Sequence, residues 1–419
     1  MGRGGGRWLL ALWISLLTAC APPPGFQLPD DPLARILGRR VGRIILLGTD
    51  GNLYLTDISG IRRHALTRDA GPMRQGHRSY WLPIWSPDGK HLAVFEQVNA
   101  EIPTTRVIHL GLSPEGPPVR QVWGEWKGEE PVLLGWLDAR SLFVLNRGSG
   151  RSRNYILRAL DTESQREAVL AQGDPLFFSW NAVRRVLAWH REGRYLELRV
   201  LDEGAVERRS DHTAAFNAPA WSPDGQWLAW AEQEGNTSVL RLENLERSAA
   251  RTVVTFTGGV AFSWSPTGRY LALITDPTTT VPRIGPLDLY DIPADRLTRL
   301  GDQPHLAMFW SRDGTRLLAF RLLEIDPASG QALLQARVYE PSGASRELGT
   351  FIPTFPFLNL LSRFDVFQGS AFLWSPDDRF VLIAAAEPGG KAGIYALHVS
   401  GWLEPRRLGD GVLAFYSPW

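Results

Sequence analysis

Trp221-Ser222-Pro223-Asp224-Gly225, followed after Gln226 by the apolar run Trp227-Leu228-Ala229-Trp230, decides the architecture, because the chain repeats this phrase. Near-complete copies stand at Trp85-Ser86-Pro87-Asp88-Gly89, Trp264-Ser265-Pro266-Thr267-Gly268, Trp310-Ser311-Arg312-Asp313-Gly314 and Trp374-Ser375-Pro376-Asp377-Asp378. Worn copies follow Trp136 and Trp180, and successive tryptophans are 51, 44, 41, 43, 46 and 64 residues apart. That period is long enough for one four-stranded unit per copy.

The local grammar predicts how each unit is built. Proline at the second turn position and glycine at the fourth suit a type I turn, and apolar runs bounded by turn residues read as strands. A third strand such as Arg106-Val107-Ile108-His109-Leu110 and a short fourth such as Arg406-Arg407-Leu408 complete the unit. Val41 to Leu47 matches the part of a repeat after its turn but has no tryptophan strand before it. The missing strand stands at the other end, where Leu413-Ala414-Phe415-Tyr416-Ser417-Pro418 parallels Ala371-Phe372-Leu373-Trp374-Ser375-Pro376. Pairing the two ends removes the edges that an open arc would expose. The expectation is an all-β fold, an eight-bladed β-propeller of four-stranded antiparallel blades whose first blade is closed by the C-terminal strand. Seven blades is the alternative, should the worn region from Trp136 to Leu201 be irregular.

These turns resemble the TolB-type (WD40-like) propeller repeat of bacterial envelope proteins, over residues 41–419. The resemblance implies the fold, and it departs from TolB itself in showing no separate α/β domain ahead of the propeller. A TolB role is therefore not carried over, since propellers host binding proteins and enzymes alike.

Residues 1–20 read as a targeting segment: Arg3 and Arg7 precede an apolar stretch from Trp8 to Leu17, which is too short to span a bilayer. It ends in Leu17-Thr18-Ala19-Cys20, which resembles a bacterial lipobox and implies a lipid anchor on Cys20, the single cysteine of the chain. Residues 21–40 then read as a Pro-rich tether. An extracytoplasmic, membrane-anchored location in the cell envelope follows from that resemblance. Of 419 residues, 44% are apolar and 11% aromatic, enough for a large core. Forty-five basic against forty-four acidic residues, with no long run of either sign, point away from nucleic acid.

A meander places the short, uniform turns at one end of the ring and the variable loops at the other, where binding residues concentrate. Two segments there stand out. Leu348 to Ser370 carries Phe351, Phe355, Phe357, Phe364 and Phe367, either a docking patch or a segment that buries itself. Arg68, Arg74, His77, Arg78, Tyr80 and Trp81 mix cationic and aromatic groups able to grip an anionic or sugar ligand at the channel mouth, against the plainer reading of a solvated loop. The repeat tryptophans and the turn aspartates read as structure. The eight histidines include no pair at the close spacing that seeds a zinc site, and no cofactor or catalytic residue is indicated. The expected function is a non-catalytic binding or scaffold module, a monomeric propeller, for an envelope protein, peptide or glycan. The alternative is a hydrolase or lyase with its site at the central channel mouth.

Overall fold

Each repeat folds as an antiparallel meander, and its first turn explains the recurring letters. In the computed structural model, which describes residues 42–418 apart from 62, 72–75, 113–118, 149–153, 202–203, 205 and 368, the turn serine works twice. Ser222 Oγ accepts the Trp227 N–H at 2.9 Å and donates to Asp224 Oδ1 at 2.5 Å, and Ser86, Ser311 and Ser375 do the same in their turns. Where Thr267 replaces the aspartate, a hydroxyl contact of 3.1 Å stands in for the carboxylate. Cys20 and Arg74, the segment 1–20 and the tether 21–40 lie outside the described residues.

Among the described residues the strands form seven antiparallel sheets, of which one has seven strands. In that sheet the strand Arg296–Trp310 is the outer edge of one blade at its start and the inner strand of the next at its end. Dividing there gives eight units, each beginning at a repeat. The worn region is regular: residues 129–173 and 176–210 form two four-stranded sheets, as the eight-blade reading expects. The eighth unit has three full strands, with Trp374 bridging Val381 in place of an inner ladder. The architecture is that of a β-propeller.

The ring closes through the chain ends. Ile44 to Leu47 pairs in register with Leu413 to Tyr416, from Ile44↔Tyr416 to Leu47↔Leu413, and all eight residues are buried. Ser417 N–H donates to Arg43 O at 2.7 Å and Arg43 N–H donates to Ser417 Oγ at 2.9 Å. Ser222 and Trp227 exchange the same two bonds within one turn, at 2.8 and 2.9 Å. The closing blade is thus a repeat whose turn is divided between the termini.

Two departures from the phrase compensate one another. Asp378 stands where the other turns have glycine and keeps the left-handed backbone at φ 55°, a region aspartate tolerates better than most residues. Its carboxylate accepts the N–H groups of Arg312 and Asp313 at 2.8 and 3.0 Å. A proline at 312, the usual residue there, would have no N–H to give. The Arg312 guanidinium also donates to Pro418 O and Ser417 O at 2.6 and 2.8 Å, holding the closing segment.

The repeat tryptophans pack between blades, as expected of them. Indole N–H groups of Trp264, Trp310 and Trp374 donate to Ala220 O, Ser263 O and Phe309 O at 3.0, 3.2 and 2.9 Å. Each acceptor is the residue just before the preceding blade's own tryptophan. Trp180 reaches Leu137 O at 3.1 Å, two residues beyond the position that pattern would give.

Candidate functional site

The turn phrase sets one end of the ring and leaves the loops between second and third strands, with the inter-blade connections, at the other. At that loop-rich end a cavity of about 570 Å³ opens between the fourth, fifth and sixth blades. Its wall combines Pro175, Phe177 and Phe216 with Asn217, Gln233 and Arg283. This volume suits a small molecule or a short chain segment.

His190 comes from the strand Val186–Arg191. Its Nδ1 lies 2.9 Å from Asn217 O, and its Nε2 lies 2.9 Å from Thr213 Oγ1. A carbonyl oxygen only accepts, so Nδ1 carries the proton and Nε2 accepts from the Thr213 hydroxyl. Burial lowers the pKa of this ring, which stays neutral, and Phe216 stacks on it at 4.1 Å between centroids. Both nitrogens are therefore engaged.

Asn217 reaches further, donating from Nδ2 to both carboxylate oxygens of Asp365 at 3.0 and 3.1 Å. Asp365 sits in the short helix Phe364–Phe367, within the connection from the seventh blade to the eighth. That connection is three blades along the ring from the one between blades four and five, and the helix lies against the inner strands of the sixth and seventh blades. Burial pushes the Asp365 carboxyl up to about 6, against the pull of Asn217 and Arg283.

Four of the five phenylalanines of this segment are core residues: Phe351, Phe357, Phe364 and Phe367 are buried. Phe357 meets Phe320 edge-on at 5.7 Å, and Phe364 meets Phe309 at 6.2 Å. Thr354 caps the helix Phe355–Leu361 and anchors it by donating to Val412 O at 2.6 Å. Phe355 alone projects, 78% exposed. The segment buries itself because the open mouth of the ring supplies apolar inner strands to cover.

The basic loop takes a different course. Tyr80 is buried and donates to Asp69 at 2.5 Å, with Glu96 at 3.4 Å. Arg78, Arg106 and Arg120 all converge on Glu96, which is 0% exposed, while Asp69 and Glu125 take their remaining charge. Three cations thus face three carboxylates, and the cluster is balanced by its own blade. Arg68 is exposed, His77 is half-buried and Trp81 is 39% exposed, so only these of the described set present themselves to solvent without that network.

Sequence reasoning did not single out His190, Asn217, Arg283 or Asp365. One signal was present: Arg283 is the single charged residue between Asp276 and Asp288, in a variable loop of the binding end. Nor did sequence spacing reveal that His91 Nδ1 and His109 Nε2 lie 2.9 Å apart, with Trp123 stacked on His109 at 4.7 Å. Burial first, and then His91, hold His109 down at about 4. Among the described residues no group of three His, Cys, Asp or Glu is placed to hold a metal ion.

No family profile and no curated relative matches the chain. Solved structures do. NirN, a dihydro-heme d1 dehydrogenase in complex with DHE, superposes with TM-score 0.53 and 14% identity, over 96% of this chain and 78% of its own. A eukaryotic initiation factor superposes with TM-score 0.52 and 12% identity, over 90% and 98%. TolB from Acinetobacter baumannii matches with TM-score 0.40 and 15% identity over 76% of this chain, which spans 65% of TolB's length. The first two establish the propeller fold, and a dehydrogenase and an initiation factor on one scaffold leave function to the site.

Proposed function

We propose that this chain is a lipid-anchored, extracytoplasmic propeller that binds a protein, peptide or glycan at its loop-rich end and performs no chemistry. The observation that carries this reading is the cavity of about 570 Å³ at that end, lined by apolar and neutral polar side chains from variable loops on a rigid scaffold. Orientation supports it as well. A Cβ on Gly42 would come within 2.7 Å of Pro376 Cγ, so the described chain begins at the turn end. A tether running from a lipid on Cys20 would then hold the turn end toward the bilayer and the loop end away. Trp402, 84% exposed, and Leu403 stand on that same turn end, where an interfacial tryptophan suits a membrane surface.

Two measurements test this reading on the full chain. Mass spectrometry of the protein from host membranes should find acylated Cys20, and an unmodified Cys20 would remove the anchor. Crosslinking from Asn236 or Thr279 at the loop end should capture a partner that crosslinking from Lys90 at the turn end does not. Equal capture from both ends would overturn the assignment of the binding face. The second reading, a hydrolase or lyase at the same cavity, draws on His190 and Arg283 in its lining, with Asp365 behind Asn217. It requires turnover of some substrate that His190→Ala abolishes.

A further inference from the structure

Arg283 is 5% exposed and lines the cavity. Its Nη1 donates to Thr280 O, and its Nε has no hydrogen-bond partner. The guanidinium lies over Gly259, where an added Cβ would come within 2.4 Å of Nε, so the glycine makes room for it. The two carboxylates that act on Arg283 are already committed. Asp276 accepts the N–H groups of Thr278 and Ile284 at 2.7 Å each, and Asp365 accepts from Asn217. Neither forms an ion pair with Arg283 among the described residues. Aspartate and glutamate are missing from the described lining, and His190 is neutral, so the cavity presents one positive charge among amides, hydroxyls and apolar walls.

A buried cation without an ion-paired anion is costly. We propose that this cavity is a binding site for a small molecule bearing a single carboxylate, with Arg283 as its anchor. The planar guanidinium fork matches a carboxylate in geometry. A phosphate monoester, close to two negative charges near neutral pH, would leave a charge unmatched. Asn236 and Thr279 supply neutral polar contacts for the rest of the ligand, beside Phe177. A sugar acid and a free amino-acid terminus share this chemistry. The inference rests on the loop-rich end being the binding end.

The test is calorimetry on the full chain in detergent, with two matched pairs: glucuronate against glucuronamide, and N-acetylphenylalanine against its amide. At least one acid should bind, with its amide weaker by about tenfold or more, the loss expected when a charge-assisted hydrogen bond is removed. The pair that responds tells a sugar acid from a peptide terminus. Arg283→Gln should abolish the preference and Arg283→Lys should retain part of it. Asn236→Trp, which fills the exposed rim without touching Arg283, should block binding even if Arg283→Gln fails to fold. Equal binding of acid and amide, no binding of either acid, or an Asn236→Trp chain that binds normally would overturn the proposal. Loss of the loop-end crosslink with the acid preference intact would instead count against the macromolecular reading alone.

Discussion

Two charged clusters of this propeller invite comparison. On the second blade, Arg78, Arg106 and Arg120 surround the buried Glu96, with Asp69 and Glu125 completing the balance. At the cavity, Arg283 is buried more deeply than those arginines, and its neighbouring carboxylates are occupied elsewhere. Arg78 of the first cluster stood out in the sequence within a candidate grip for anions, yet the surrounding blade supplies the anions itself. The second is one arginine in a threonine-rich loop, and among the described residues it forms no ion pair. Cationic residues mark a binding site only when the fold leaves them without partners.

Removing the hub of the balanced cluster should have the largest effect. Glu96→Gln leaves three arginines around a neutral side chain and should cost about 3 kcal/mol, the lower end for breaking a buried pair because the arginines are partly solvated. Urea unfolding measures it, and a loss under about 0.5 kcal/mol, the range of an ordinary surface change, would show that the network contributes little.

Asp365 offers a test through pH. Its folded pKa, about 6, lies above its ordinary value, so the folded state holds the proton more tightly. That contribution is complete below the unfolded pKa and is lost as pH rises through 6. The wild type should therefore lose up to about 3 kcal/mol between pH 4 and 7 that Asp365→Asn does not lose, by the worth of a pKa unit. Comparing the two chains separates Asp365 from His190, whose lowered pKa acts in the opposite sense. Parallel stability curves for the two chains would refute the assignment.

Gly259→Ala should cost about 1–3 kcal/mol, because the new methyl group meets the Arg283 guanidinium at 2.4 Å and must displace it. Combining it with Arg283→Gln should remove most of that cost, whereas simple additivity would place the strain elsewhere. The smallest effect is expected from Arg283→Gln alone. Without an ion pair to break, it should change stability by under about 1 kcal/mol in either direction. A large loss would make Arg283 a structural residue like those around Glu96.

Much of the fold was readable in the chain itself. The serine and aspartate of each turn act within five residues, so their role needs only local geometry. The divided repeat was readable for the same reason, since Ser417 and Arg43 rebuild a turn seen intact elsewhere. Less accessible was the reciprocal departure at Arg312 and Asp378, two odd letters 66 residues apart that explain one another only in contact. The apolar segment from Leu348 to Ser370 was conspicuous, but whether it met a partner or its own ring depended on what lay beneath it.

The amino-acid sequence alone determined the blade and the closure, because each follows from short-range turn chemistry recurring at a fixed period. Only the tertiary structure decided where charge remains unmatched. Asn217 and Asp365 are 148 residues apart, and Arg283 acquires its character from what those two have already bonded. Electrostatic balance is a property of neighbours in space, and a periodic sequence does not declare which neighbours a ring will bring together.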